Sequence, residues 1–158
     1  MPVEFQSKVR NCCTKFEINM TSKEDRYKYY LTKLYNHAFP DEQVARNHVF
    51  SNEELFCIKP QHIYSYFADL AYGTPAPTVN DTPKKIRNAT LEFAKKAISS
   101  FQPNRLLPWN EQSGSGNPTR SALVNDFIKQ IKKEEVNVFF IFLFYTIVET
   151  NLIHSSLC

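Results

Sequence analysis

Residues 113–135, SGSGNPTRSALVNDFIKQIKKEE, carry several signals that together mark a helix. Ser113 to Gly116 predict a flexible joint, because serine and glycine leave the backbone free. Asn117 is a good N-cap and Pro118 is a good first helical residue. Apolar residues then recur at helical spacing, so the stretch predicts an amphipathic helix that ends on lysines. Its apolar face would hold Ala122, Val124, Phe127, Ile128 and Ile131.

Similar patterns upstream predict further helices. Ser22 can cap a helix, with Asp25 in the capping-box position, and Asn88 can cap another. Tyrosine, leucine and phenylalanine fall on single stripes at 3–4 spacing, which indicates core packing more often than base stacking. The helices are expected over about 23–37, from Pro60 to Gly73 and from Asn88 to Phe101, with short helical turns near 41–47 and 52–57.

The totals restrict the fold class. The chain has 158 residues, of which 42% are hydrophobic, so a single domain can bury a core. The three glycines are too few for a turn-rich β-sandwich or barrel. We therefore predict an all-α bundle of four to five helices with long loops. Its parts would be a loose lead-in (1–21), a helical domain (22–135) and an apolar tail (136–158).

The tail differs in character from the helices before it. Residues 138–148 are apolar except for Thr146, which is too short for a helical membrane span. Extension to residue 153 adds Glu149 and other polar residues, so a membrane tether through 138–153 is an alternative with a poor fit. A buried strand or an aggregation-prone segment fits equally well. A further hypothesis is that the tail is translated intron or a frame-shifted end and is not native to the domain.

Positive charge is concentrated in one block of the chain. Residues 82–133 hold ten Lys/Arg against three Asp/Glu, although the net charge of the whole chain is only +3. Such a block favours an anionic partner, of which nucleic acid is the commonest, and a solvated face is the competing interpretation. The candidate contacts to the phosphate backbone of duplex DNA are Lys84, Lys85, Arg87, Lys95, Lys96, Arg105, Arg120, Lys129, Lys132 and Lys133.

Two predicted helix starts lie within this block. Free backbone N–H groups at a helix N-terminus favour anions. We therefore expect the helix that begins near Asn88 and the helix that begins at Asn117-Pro118 to present such groups to phosphates. Two cationic helices of this kind could clamp a duplex with affinity and strong salt dependence but little sequence choice.

No constellation typical of an enzyme is present. The sequence lacks phosphate-loop, dinucleotide-binding, zinc-protease and nucleophile-elbow motifs. Its four histidines are scattered, and its four cysteines match no zinc module. We therefore predict no catalytic residue, no metal site, no cofactor and no small-molecule substrate. The N-terminus lacks the apolar core of a secretory signal, so we expect an intracellular protein. With DNA as the partner we expect it in the nucleus, and association with a membrane through the tail is the alternative. Its oligomeric state is not determined by the sequence.

Four stretches carry a resemblance to a known family. They are AYGTPAPT (71–78), TLEFAKKAISSFQPNR (90–105), WN (109–110) and GNPTRSALVNDFIKQIKKEEV (116–136). As a set they resemble the core-binding region of tyrosine recombinases of eukaryotic mobile elements, of the Crypton kind. The resemblance implies a helical region that arches over DNA and precedes a catalytic domain with an arginine, a His-x-x-Arg motif and a nucleophilic tyrosine.

The chain also departs from that family. It has no His-x-x-Arg motif, and Asn137 stands where the family pattern has arginine. The resemblance therefore implies a non-catalytic DNA-binding fragment involved in recombination or integration, with the basic residues as backbone contacts. Two alternatives stay open: a helical protein-interaction module without a nucleic-acid role, and a small membrane-tethered protein.

Overall fold

The computed structural model describes residues 22–83 and 87–155, and from residue 138 onward it describes the side chain of Phe140 alone. Helices account for all the regular elements in these ranges, apart from an isolated bridge between Asn110 and Ser115. The predicted all-α bundle is confirmed. The elements are α1 (Lys23–Ala38), α2 (Asn52–Cys57), α3 (Pro60–Tyr72), α4 (Asn88–Phe101), a 3₁₀ turn (Pro118–Arg120) and α5 (Ala122–Ser155).

Local capping chemistry sets most of the predicted helix ends. The Ser22 hydroxyl accepts a hydrogen bond from the Asp25 N–H at 3.1 Å, as predicted. Ser51 and Glu54 form a reciprocal capping box that opens α2. Pro60 is the first residue of α3, and Gly73, at φ 81°, ends it.

One predicted helical turn is absent, and the predicted cap of α4 is displaced by one residue. Residues 41–47 form turns, and the side chain of Asn36 holds this segment by bonding both the N–H and the carbonyl of Val44. Asn88 is the first helical residue of α4, and Arg87 occupies the cap position without a side-chain cap bond. The Asn88 N–H instead donates to the Glu135 carboxylate of α5, a partner that local sequence does not reveal.

The start of α5 also differs from the prediction. Asn117 and Pro118 open a single 3₁₀ turn, in which the Asn117 side chain accepts from the Thr119 N–H. Ser121 then begins the α-helix, since its hydroxyl accepts from the Val124 N–H at 3.3 Å. Ala122 is therefore the first residue of α5 and is exposed, not part of the apolar face.

The core lies where the predicted apolar stripes meet. α1 packs against α3 and α4, and α5 packs against the same two helices. The Tyr27 and Phe93 rings, from α1 and α4, meet edge to face with centroids 5.4 Å apart. These aromatic residues therefore serve packing, as predicted. The largest fully buried residues are Leu31, Leu34, Ile58, Ile63, Phe67, Leu91, Ile98, Val124 and Ile131.

The apolar tail continues α5 without a break across the predicted boundary at 135/136. The strand interpretation of the tail was therefore wrong. Val136 and Phe140 are exposed, one helical turn apart. None of the helices, over the residues described, is long and apolar enough to cross a membrane. The proposed span 138–153 falls, except for Phe140, outside the residues whose side chains are described.

A tyrosine–carboxylate contact ties α3 to α5 and gives a pH prediction. The Tyr72 hydroxyl donates to Glu134 at 3.2 Å, and burial, followed by the Glu134 charge, raises the pKa of Tyr72 to about 12. Since an unperturbed tyrosine ionises near 10.0, this contribution to stability is complete below pH 10 and is lost as the pH rises toward 12. Urea unfolding should therefore show a steeper loss of stability over this window in the wild type than in Tyr72→Phe. Equal pH slopes in the two proteins would contradict the assignment.

Candidate nucleic-acid interface

Three of the predicted basic residues meet in one open cleft. α4 contributes Lys95 and Lys96, and the 3₁₀ turn contributes Arg120. The cleft has a volume of about 540 Å³ and is also lined by Glu92, Ser99, Pro108, Thr119 and Asn125. Cations, hydroxyls and an amide are the groups that bind phosphate oxygens in proteins. The cleft therefore brings three cations together from α4 and the 3₁₀ turn, with Glu92 as an acidic residue among them. The Thr119 hydroxyl is already used, because it donates to the Asn117 side chain.

Asn125 organises two sides of the cleft. Its Oδ1 accepts a hydrogen bond from the Lys95 ammonium, and its Nδ2 donates to the Arg120 carbonyl at 3.3 Å. Lys95 is consequently half-buried and directed across the α4–α5 contact. Lys96 is exposed at the rim, free of any such bridge to Asn125.

The Arg120 side chain is exposed but anchored at one point. Its guanidinium donates to the Leu106 carbonyl at 3.1 Å. One such bond leaves other guanidinium N–H donors available for an external acceptor. Arg120 therefore links the cleft to the loop that follows α4.

A lysine stripe extends the cleft along α5. Residues 129, 132 and 133 lie four, seven and eight positions after Asn125, so all three fall on the side of the helix that carries Asn125. Lys129, Lys132 and Lys133 are exposed and border a shallow depression of about 370 Å³. Lys129 pairs with Asp126 at 3.0 Å, but an exposed pair of this kind contributes little. From Asn125 to Lys133 the stripe spans about 12 Å.

The remaining predicted residues lie elsewhere. Arg87 is exposed at the start of α4, and Arg105 is exposed on the loop after it. Lys84 and Lys85 lie outside the described residues. The structure thus joins six of the ten in the cleft and stripe, and connects Arg105 to them through the loop that Arg120 contacts.

Three of the N–H groups at the two predicted helix starts are already in use. At α4 the Asn88 N–H donates to Glu135, so an acidic side chain of the same chain occupies that position. At the 3₁₀ turn the Thr119 N–H donates to the Asn117 side chain at 3.0 Å, and the Arg120 N–H donates to the Asn117 carbonyl at 3.0 Å. These three N–H groups are therefore not available to phosphates.

The predicted flexible joint is a closed turn. Asn110 and Ser115 pair across it, with the Asn110 N–H donating to the Ser115 carbonyl at 2.8 Å. Asn117 is fully buried, and its Nδ2 donates to Ser99 at 2.8 Å and to the Arg105 carbonyl at 3.0 Å. The start of α5 is consequently held against α4, and residues 113–116 do not form the predicted flexible joint.

The sequence interpretation missed the neutral and acidic members of the cleft. Ser99, Thr119 and Asn125 carry no signal of binding in the sequence, and Glu92 was not considered. One signal in the sequence could have identified Asn125. It lies four and seven residues before Lys129 and Lys132, which places its amide on the same face of the helix as these lysines. Within the ranges that the structure describes, His, Cys, Asp and Glu side chains form no cluster that could hold a metal ion.

Comparison of the chain with protein-family models, with curated proteins and with solved structures finds no match. The resemblance to the recombinase core-binding region stays a prediction from the sequence.

Proposed function

We propose that this protein is a non-catalytic DNA-binding module that contacts the phosphate backbone of duplex DNA. The observation that carries the proposal is the grouping of six cations in the cleft and the lysine stripe, which outnumber the two acidic residues among them, Glu92 and Asp126. Lys95, Lys96 and Arg120 lie in the cleft, and Lys129, Lys132 and Lys133 lie on the stripe.

The shape of this surface suits a nucleic-acid backbone better than a small ligand. It is open and elongated, and most of its cations are exposed. A surface of this kind gains affinity because DNA releases counterions when it binds, so binding weakens as the salt concentration rises. Phosphate contacts distinguish little between base sequences. The proposed recombinase relationship and nuclear location belong to the same proposal and rest on the sequence.

A double charge reversal at the exposed cations of the cleft tests the proposal. In the full chain, Lys96→Glu with Arg120→Glu should weaken binding to a fluorescent duplex on the order of 100-fold at low salt, because two phosphate contacts become repulsive. Each lost phosphate contact should reduce the slope of log affinity against log salt concentration by roughly 0.9, so the two substitutions should reduce it by about 2. Fluorescence anisotropy at several salt concentrations measures both quantities.

The matched control reverses two exposed lysines of α1. Lys23→Glu with Lys33→Glu changes the net charge by the same amount on a helix that lines neither the cleft nor the stripe. It should retain most of the affinity and the slope. Equal losses in both variants would show that only the total charge matters, and absence of wild-type binding at low salt would refute DNA binding.

A further inference from the structure

Two consecutive leucines are exposed on the loop after α4. Leu106 is 74% exposed and Leu107 is 56% exposed. They border a concave surface of about 440 Å³ together with Pro103, Asn104 and Arg105. Isolated exposed leucines are ordinary, but an adjacent pair beside a proline forms an apolar patch, and such patches mark contact sites.

The loop holds the pair in a defined position. The Leu107 N–H donates to the Asn104 carbonyl at 3.0 Å, and the Leu107 carbonyl accepts from the Asn117 N–H at 3.1 Å. The Leu106 carbonyl accepts from the Arg120 guanidinium at 3.1 Å. These bonds use the backbone of both leucines and leave the side chains facing outward.

Charge at the edges of the patch indicates its partner. Arg105 precedes the leucines, and Arg120, which also lines the cleft, is bonded to the loop itself. These two arginines are complementary in charge to a phosphate backbone, which is the partner proposed for the neighbouring cleft. Leucine and proline are among the residues that enter between base steps when proteins kink a duplex.

We propose that Leu106 and Leu107 form an apolar wedge that partly unstacks a base step while Arg105 and Arg120 hold the neighbouring phosphates. The proposal rests on the DNA-binding function proposed above and adds the mode of contact. Entry of the leucines costs base stacking, and that cost is smallest where the bases are already weakly paired. The wedge therefore makes the protein prefer a duplex with a weakened step over a fully paired one.

The test compares two duplexes that differ only at one central mismatch, which carries 2-aminopurine beside it. The full wild-type chain should bind the mismatched duplex about tenfold more tightly and raise the 2-aminopurine fluorescence, because the step is unstacked. Leu106→Ala with Leu107→Ala should lose both the preference and the fluorescence change while the salt slope stays unchanged. Lys96→Glu with Arg120→Glu should weaken binding to both duplexes.

The control truncates two exposed valines away from the loop, Val49→Ala with Val79→Ala, and should behave as the wild type. Thermal unfolding by circular dichroism shows that each variant is folded. Salt-dependent binding without any mismatch preference, or a preference kept by the leucine variant, overturns the wedge and leaves DNA binding standing. No binding to either duplex overturns both. Leucine-dependent binding to phosphatidylserine vesicles in place of DNA also overturns the wedge.

Discussion

Gly116→Ala is expected to lower the free energy of unfolding by about 3 kcal/mol or more, since it combines backbone strain with overlap against main-chain atoms. Gly116 has φ +107°, a conformation that side chains rarely allow. A Cβ at this position would lie 2.1 Å from the Pro108 carbonyl oxygen and 3.1 Å from the Trp109 Cα. Neither atom can move without opening the loop that carries the leucine pair. Urea unfolding of the full chain measures the change.

Gly114 provides the matched control two residues earlier. It also has a positive φ, +61°, but a Cβ there would meet no atom within 4 Å. Gly114→Ala should therefore cost only about 1 kcal/mol, the penalty of a left-handed backbone for alanine. Similar losses in the two variants would contradict the close approach of residues 108 and 116.

Asn117→Ala should lower the free energy of unfolding by about 3 kcal/mol, because several buried hydrogen bonds lose their partner at once. The side chain is fully buried, and its Oδ1 accepts from the Thr119 N–H and hydroxyl at 3.0 and 2.8 Å. Its Nδ2 donates to Ser99 and to the Arg105 carbonyl. The variant should also lose the mismatch preference, since these bonds position the loop and the start of α5.

The control for Asn117 is an asparagine of the same loop with exposed bonds. The Asn110 Oδ1 accepts from the Gln112 and Ser113 N–H groups, but the residue is exposed and water can replace it. Asn110→Ala should cost about 1 kcal/mol or less. Chemical denaturation of both variants separates the two cases, and an equal small loss would show that the Asn117 network is not formed.

The helices were predictable because their signals are local. The cap of α1 involves Ser22 and Asp25, which lie within one helical turn. The ends of α3 depend on single residues, Pro60 at its start and Gly73 at its end. The apolar stripes require only the 3.6-residue period, and most residues on them form the core, with Ala122 as an exposed exception.

The error at α4 arose where a distant partner replaced the local one, because Glu135, 47 residues away, takes the N–H of Asn88. The error at α5 was local, because Ser121 caps the α-helix after the 3₁₀ turn that Asn117 opens.

The candidate site was predictable only as a list of cations. Sequence charge alone could not tell that Lys95 would meet Asn125, 30 residues later, or that Arg120 would be bonded to the loop of Leu106. It also could not show that the bonds of Asn117 would fix the turn of residues 113–116. Serine and glycine predict a flexible backbone whatever tertiary contacts surround them. Arg87 stands apart from the cleft although it belongs to the same basic block.

By itself the sequence determined the all-α class, the core faces of the helices and the basic character of residues 82–133, since capping, periodicity and charge belong to the residues themselves. Only the tertiary structure decided which cations share a surface, which helix starts are already occupied and which leucines remain in water. These properties depend on how α4, the 3₁₀ turn and α5 pack together. Packing is set by the whole core at once, so no single stretch contains it.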